Sequence, residues 1–385
     1  MGDLTIERIE GIACSVPLAA PVTIGLGQVL KREAVVIKVT TASGLAGYGE
    51  AHHCRAPRAV EALVNSTIRE LVVGRDASET TDIWEHVYRN QLATHGMGSA
   101  AACALSGVDT ALWDIRGKAA NWPLYRLLGG THRPIPAYAG GVALGYQEPA
   151  ALADEALLRV EQGFTALKLR VGQGFAIDVA RMRAVRDAVG PDVAILTDAN
   201  ARCAVADVLR ALPVYEELGI GWLEEPFAPQ DRRAYREVAR WSRIPLAAGE
   251  NHYTRYEFGE LIEDGAVGVL QPDVSKCGGV TEMMRIAALA ATAGLPVCPH
   301  TSITAINMAA TIHLIASMPT GGYFEADLAD GNLLRTRLGT RAPYEVSATG
   351  QVEPLDGPGL GIEVDEEFLR AHPLTPGPAF VPLAA

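Results

Sequence analysis

The chain has 385 residues, 49% of them hydrophobic, enough for one large barrel or two ordinary domains with a sizeable core. Its formal charge, 33 − 45 = −12, argues against nucleic acid or an anionic membrane as partner, and no apolar run reaches the length of a bilayer span. An anionic substrate is not excluded, because a bound metal and local Lys or Arg reverse the field near them.

The opening, MGDLTIERIE, has no basic stretch followed by an apolar one, so no export signal is expected. Cys14, Cys54, Cys103, Cys203, Cys277 and Cys298 are scattered without a C-x-x-C pair, and reduced thiols in a cytoplasm are the expectation. Residues 5–12 alternate as a strand. Pro21–Gln28, PVTIGLGQ, is Gly-rich and is expected to be a mobile loop. Ala34–Thr40, AVVIKVT, is a β-branched strand, TASG a turn, and Leu45–Glu50 the returning strand. A second loop, AHHCRAPR, follows. Residues 58–73, 79–93 and 98–120 read as helices, the last dense in Ala, Ser and Gly and so suited to close packing. These elements make an α+β unit without a parallel-sheet rhythm.

From Pro134 the texture changes. Strand-like runs follow at Ile135–Ala139, Ala166–Arg170, Val193–Asp198, Gly221–Glu224, Leu246–Glu250, Val267–Gln271, Pro296–Pro299 and Tyr323–Glu325, with helices between them. Parallel strands need such crossovers. Ala176–Val189 is one such helix, with Val179, Met182, Val185 and Val189 on roughly one face. Eight strands in this rhythm point to a barrel. The first turn, YAGGVALGYQ, lacks a clean G-x-G-x-x-G entry to a helix, so a dinucleotide site is discounted. The Pro-rich end, HPLTPGPAFVPLAA, is expected to be a tail packed on the surface.

A barrel carries its active site at the C-terminal ends of its strands. There stand Asp198 in ILTDAN, Glu224 in WLEEP and Glu250 in AAGEN, at intervals of 224 − 198 = 26 and 250 − 224 = 26. An acid in the same place in three consecutive βα units is an acid at the same end of three neighbouring strands. Three converging carboxylates repel unless a cation joins them, and three hard oxygens suit Mg²⁺. Strand two ends in Lys168 and Arg170, which share a face by period two. A Lys beside an Arg is expected to have its pKa lowered by like charge. Asn200 and Asn251 stand just beyond their strands. Asp273 and His300 end strands six and seven; a carboxylate beside an imidazole fixes its tautomer and raises its basicity. Glu325 ends strand eight. Lys276 lies in a helix-entry loop, and His52, His53 and His95 lie outside the barrel period, with His52 and His53 in a loop that can touch substrate.

In order and spacing, KLR, DAN, WLEEP, GEN, QPDVSKCGG, PHTS and YFE resemble the enolase superfamily, mandelate racemase / muconate lactonizing enzyme family, and within it the mandelate racemase subgroup. The resemblance covers nearly the whole chain, including ALSGVDTALWDIRGKAANWPLYRLLGG. It implies an α/β fold, a (β/α)₇β TIM-like barrel over residues 131–325 with an N-terminal α+β capping domain over 1–130. Residues 326–385 are expected to return to that cap. Loops near 21–29 and 51–57 are expected to close over the substrate. The resemblance implies Mg²⁺ on Asp198, Glu224 and Glu250. It also implies His300, Asp273, Lys168, Arg170 and Glu325 as catalytic residues, with Asn200, Asn251 and His52 as substrate contacts. The shared first step is removal of the proton α to a carboxylate, leaving an enediolate whose charge the metal meets. Glu325 resembles the group that bonds the other carboxylate oxygen, so its pKa is expected to be raised. A small-molecule carboxylate as substrate and assembly as a homo-oligomer are further implications.

One position departs from the subgroup's commonest pattern, Lys-x-Lys on strand two. Arg170 stands where the second Lys would be a base, and Arg holds its proton too firmly for that role. Either Lys168 reaches the substrate or His300 is the competent base. A racemase needs bases on both faces of the α-carbon, whereas a dehydratase manages with one. The expectation is therefore dehydration of an aldonic or aldaric acid to a 2-keto-3-deoxy acid. Racemisation, epimerisation and cycloisomerisation of a sugar-acid lactone remain open.

Overall fold

A computed structural model describes residues 2–301 and 303–383. The chain starts with two long antiparallel strands, β1 (Ile6–Ile24) and β2 (Gly27–Thr41), followed by β3 (Ala46–Ala51) on the other edge of β2. The expected mobile loop at Pro21–Gln28 is instead the tip of this hairpin, with Val22, Thr23 and Ile24 paired to Val29, Gln28 and Gly27. Three β-branched residues carry the strand past Pro21, and only Gly25 and Leu26 turn. Helical segments run through Pro57–Val72 and Thr80–His95, each interrupted by one π turn, and Ser99–Ala120 is one continuous helix. Its small residues let it lie against β3, where Gly49 meets the Gly107 carbonyl so closely that no Cβ fits.

The second sheet is parallel and closes on itself. Its strands are β4 (Ile135–Gly140), β5 (Ala166–Arg170), β6 (Ala194–Asp198), β7 (Ile220–Glu224), β8 (Leu246–Ala248), β9 (Val269–Leu270) and β10 (Phe324–Asp327), in the order β10-β4-β5-β6-β7-β8-β9. The expected strand at Pro296–Pro299 shrinks to Val297, which bridges Leu270 on one side and Gly321 on the other. Pro296 and Pro299 have no N–H to give to a ladder. Helices between the strands include Phe175–Val189, which buries Met182 and Val185.

Period two sets the barrel's contents. Outward residues such as Leu167, Leu169, Ile195 and Leu223 pack on the helices. Inward residues form a plug of Tyr138, Ala166, Leu196, Trp222, Ala247, Val269 and Cys298. One step further up the same faces stand Lys168, Arg170, Asp198 and Glu224, so an apolar floor carries a charged top.

After β10 the chain adds β11 (Gln351–Val352) to β4, then a short helix, Glu366–Ala371, whose Glu366 accepts hydrogen bonds from Lys38 and Tyr48 of the first sheet. The Pro-rich end packs along the surface, as expected, but it is not without structure. It ends in β12 (Phe380–Val381), which pairs with Gln28 and Val29 at the hairpin tip. Gly27, at φ 126°, is required there, since a Cβ would strike the Val381 carbonyl. No helix among the described residues is long and apolar enough to cross a membrane.

Candidate functional site

Parallel register puts the strand-end charges at one level. Arg170 pairs with Asp198 and Asp198 with Glu224 across β5, β6 and β7. Glu250 follows Gly249, whose φ of 152° and whose approach to the Gln271 backbone leave no room for a side chain. Asn200 and Glu225, just past their strands, take left-handed backbone at φ 44° and 36°, so the chain turns sharply where the acids are displayed.

Each acid of the expected metal triad is held by a cation. Lys168 Nζ lies 3.0 Å from Glu224 Oε1 and 2.8 Å from Glu325 Oε1. Arg170 donates to Asp198 and to the Gly141 carbonyl. His300 Nε2 lies 2.9 Å from Glu250 Oε2. Neutral donors fix the same carboxylates. Asn200 Nδ2 donates to Asp198 at 3.2 Å, Gln271 Nε2 to Glu224 at 2.8 Å, and Asn251 Nδ2 to Glu250 at 3.2 Å. Burial pushes Glu224 up to about 7, with Lys168 opposing and Asp198, Glu325 and Glu250 adding to the rise. The carboxylates therefore act on one another as a cluster.

Two expected protonation states are corrected. Burial works against the Lys168 ammonium, but Glu224, Glu325 and Asp198 outweigh it and hold its pKa above the ordinary value, not below. Burial also works against the Glu325 carboxylate, but Lys168, His300 and Arg170 pull it down to about 2, not up. The neighbouring Arg was the visible like charge; the three acids facing Lys168 decide the outcome.

His300 and Asp273 meet as expected. His300 Nδ1 donates to Asp273 Oδ2 at 2.7 Å, while Asp273 Oδ1 accepts from Ser275 N, Ser275 Oγ and Asn307 Nδ2 at 2.8, 2.7 and 3.0 Å. The acid is thus locked, and it locks the ring, leaving Nε2 for chemistry. Burial disfavours the imidazolium, but Glu250 and Asp273 together raise its pKa well above the usual value.

A cavity of about 470 Å³ opens above this level, between barrel and cap. Arg170, Asn200, Glu250, Asn251 and His300 line it from the barrel, and His52 from the cap. Lys168, 1% exposed, lies beneath it with Glu224 and Glu325. His95 stands in an exposed helical turn, outside the cavity lining. The last residue of the PHTS motif, Ser302, lies outside the described residues.

Several groups in or beside the lining were not among the expected site residues. Phe380 of β12 faces His53, with ring centroids 6.2 Å apart, and carries the Arg55 guanidinium 4.6 Å above its ring. Arg32 reaches the cavity from β2. Lys276 donates to Asn251 Oδ1 at 2.9 Å. Glu225 accepts from Asn251 at 2.7 Å, and burial followed by the Glu250 charge raises its pKa well above the carboxylate range. Cys54 and Cys103 also come together beside the expected His52, with the two sulfurs 3.1 Å apart. Lys276 and Glu225 sit in the QPDVSKCGG and WLEEP motifs, whereas nothing in local spacing connects Arg32, Cys54, Arg55, Cys103 and Phe380, which the hairpin, its loop, the long helix and the returning C-terminus bring together.

Comparison with known proteins gives a family match over both halves of the chain. Residues 8–129 match "Mandelate racemase / muconate lactonizing enzyme, N-terminal domain", and residues 151–368 match "Enolase C-terminal domain-like". A D-galactarolactone cycloisomerase from Agrobacterium fabrum is 34% identical, covering 88% of this chain and 91% of its own. An arabinonate dehydratase from Saccharolobus solfataricus is also 34% identical, covering 88% and 90%. A solved enolase superfamily member from Polaromonas sp. JS666 is 51% identical, with a TM-score of 0.95 over 98% of this chain and 100% of its own. Solved relatives at 28%, 29% and 30% identity contain magnesium.

Proposed function

From the premise that this chain belongs to the mandelate racemase / muconate lactonizing enzyme family of the enolase superfamily, we propose that it removes the proton α to the carboxylate of a sugar acid and expels the β-hydroxyl as water. The product is a 2-keto-3-deoxy acid. The chain is an enzyme of lyase or isomerase chemistry, and its relatives include sugar-acid dehydratases and cycloisomerases.

We assign Mg²⁺ to Asp198, Glu224 and Glu250. The donor set fits: three hard carboxylates on adjacent strand ends, each oriented by an amide side chain. When bound, the ion supplies a divalent charge against the carboxylate whose α-proton is lost.

The chain's own residues do the rest. His300 Nε2, released from Glu250, takes the α-proton while Asp273 holds the tautomer. The imidazolium then gives that proton to the departing β-hydroxyl. Arg170 lines the same cavity as a fixed positive charge. Lys168 stays an ammonium beneath it and steadies the acids around it.

One observation carries dehydration over racemisation: Lys168 is clamped between Glu224 and Glu325, so strand two offers no second base. Cycloisomerisation is the second reading. The 34% identity to a lactone cycloisomerase favours it, and it too needs a single base. The test is a panel of aldonic acids, aldaric acids and their lactones with Mg²⁺, read by a reagent for 2-keto acids and by mass. A keto product lighter by one water, absent with His300→Asn, supports dehydration. A keto product of unchanged mass from a lactone supports cycloisomerisation. No keto product from any acid sinks both.

A further inference from the structure

Arg32 and its neighbours on β2 divide by face. Lys31 and Glu33 pair with each other at 2.8 Å on one side of the strand, and Arg32 points to the other. That other side is the cavity. Arg32 is only 9% exposed, its Nε is buried without a hydrogen-bond partner, and no acid among the described residues pairs with it. A guanidinium taken from water without an anion is costly to keep. Such a residue is explained by a ligand that brings the anion.

Two more cations share the wall. Lys276 is 5% exposed and is held by Asn251 Oδ1. Arg55 is fixed by the Leu26 carbonyl at 3.2 Å and by the Phe380 ring. All three act on one residue. Burial first, then Arg32, Lys276 and Arg55, pull His53 down to about 3, so this ring stays neutral among them. His53 Nδ1 accepts from the Arg55 backbone N–H at 3.0 Å, which fixes the ring.

We propose that this cap-side wall binds a second carboxylate, with Arg32 receiving it, and that the substrate is therefore a dicarboxylic sugar acid. The inference rests on the reading above, in which the first carboxylate lies at Asp198, Glu224 and Glu250. Arg32 gives a carboxylate two parallel N–H donors, a geometry that an alcohol terminus cannot match. Lys276 adds charge from the barrel side. A monoacid with a terminal hydroxyl leaves the Arg32 charge unanswered and binds less well for that reason.

The experiment uses the whole Mg²⁺-loaded chain and matched pairs of acids that differ only at the terminus: hexaric against hexonic acids of the same configuration, and the hexonic acid 6-phosphates. Binding by calorimetry and α-proton exchange in D₂O by NMR are read together, for the wild type, Arg32→Gln and Arg32→Lys. The expected result is that the wild type prefers the diacid by about a hundredfold. Arg32→Gln cuts that preference by about thirtyfold or more, and Arg32→Lys restores part of it. Equal handling of diacid and monoacid by the wild type overturns the proposal, as does a preference untouched by Arg32→Gln. A stronger preference for the phosphates overturns the carboxylate assignment. If no acid exchanges its α-proton, the proposed reaction falls. The binding arm then still decides, because an Arg32-dependent preference for diacids supports the site and its absence removes it.

Discussion

At the barrel end of the cavity each acid of the expected metal triad has a cation. Asp198 has Arg170, Glu224 has Lys168, and Glu250 has His300. At the cap end Arg32 and Arg55, with Lys276 reaching over from the barrel, gather round His53, and none of them forms an ion pair with an acid among the described residues. The triad acids are therefore oriented by the barrel's own side chains, while Glu325, Asp273 and Glu225 leave that end with an excess of acid for the proposed Mg²⁺ to meet, and the cap end needs an anion from outside. On the proposed reading, such a division puts the reaction at the strand ends and the choice of substrate at the cap. The two ends also differ in how they are built. The barrel groups sit on rigid parallel strands, whereas the cap groups come from a hairpin, a loop and the C-terminal strand.

The largest effect that tests this division is at His300. His300→Asn is expected to lower α-proton exchange by about a thousandfold while circular dichroism stays that of the wild type. An exchange rate within tenfold of wild type would place the base elsewhere. Next comes the metal end. Glu224→Gln is expected to weaken Mg²⁺ binding on the order of a hundredfold by calorimetry. It leaves Lys168 with Glu325 as its partner. Unchanged affinity would remove Glu224 from the ligand set.

At the cap end the effects are smaller and of another kind. Phe380→Ala removes the ring under Arg55 and beside His53. It is expected to raise KM by about tenfold, more than it lowers kcat, because it loosens the wall without touching the base. A kcat loss with KM unchanged would mean that the C-terminal strand serves the chemical step.

The smallest effect lies at the seam between the two regions. Two cap carboxylates close the N-termini of barrel helices. Asp109 accepts from Thr281 N and Oγ1 at 2.8 and 2.6 Å, and Glu50 from Thr304 N at 2.9 Å. Burial pushes both up to about 7 despite those bonds. A folded-state pKa above the unfolded one gives stability that is complete below the ordinary carboxylate range and lost as pH rises to about 7. Thermal melts across that window should show this loss in the wild type and a shallower one in Asp109→Asn. Identical slopes would mean that Asp109 is ionised throughout.

The sequence made the barrel end legible for a physical reason. Parallel βα units repeat at a near-constant period, so Asp198, Glu224 and Glu250 in phase had to share one end of one sheet. The Asp273–His300 pair followed from the same rhythm. What stayed hidden depended on contacts between distant segments. Gly25 and Gly27 read as a mobile loop, yet long-range pairing with Phe380–Val381 orders that tip. Lys168 beside Arg170 suggested a lowered pKa, because like charge two residues away is visible and the facing Glu224 and Glu325 are not. Arg32 gave no local signal, since a strand Arg is ordinary until its opposite face proves to be a cavity.

The most direct test of a single-base site uses a sugar acid that lacks the β-hydroxyl and so cannot lose water. Incubated with the Mg²⁺-loaded enzyme in D₂O, its α-position is read by NMR. The account requires deuterium to enter with configuration kept, because His300 removes and returns the proton on one face. Accumulation of the α-epimer would contradict it, placing a second working base opposite His300 and making Lys168 or Arg170 its source.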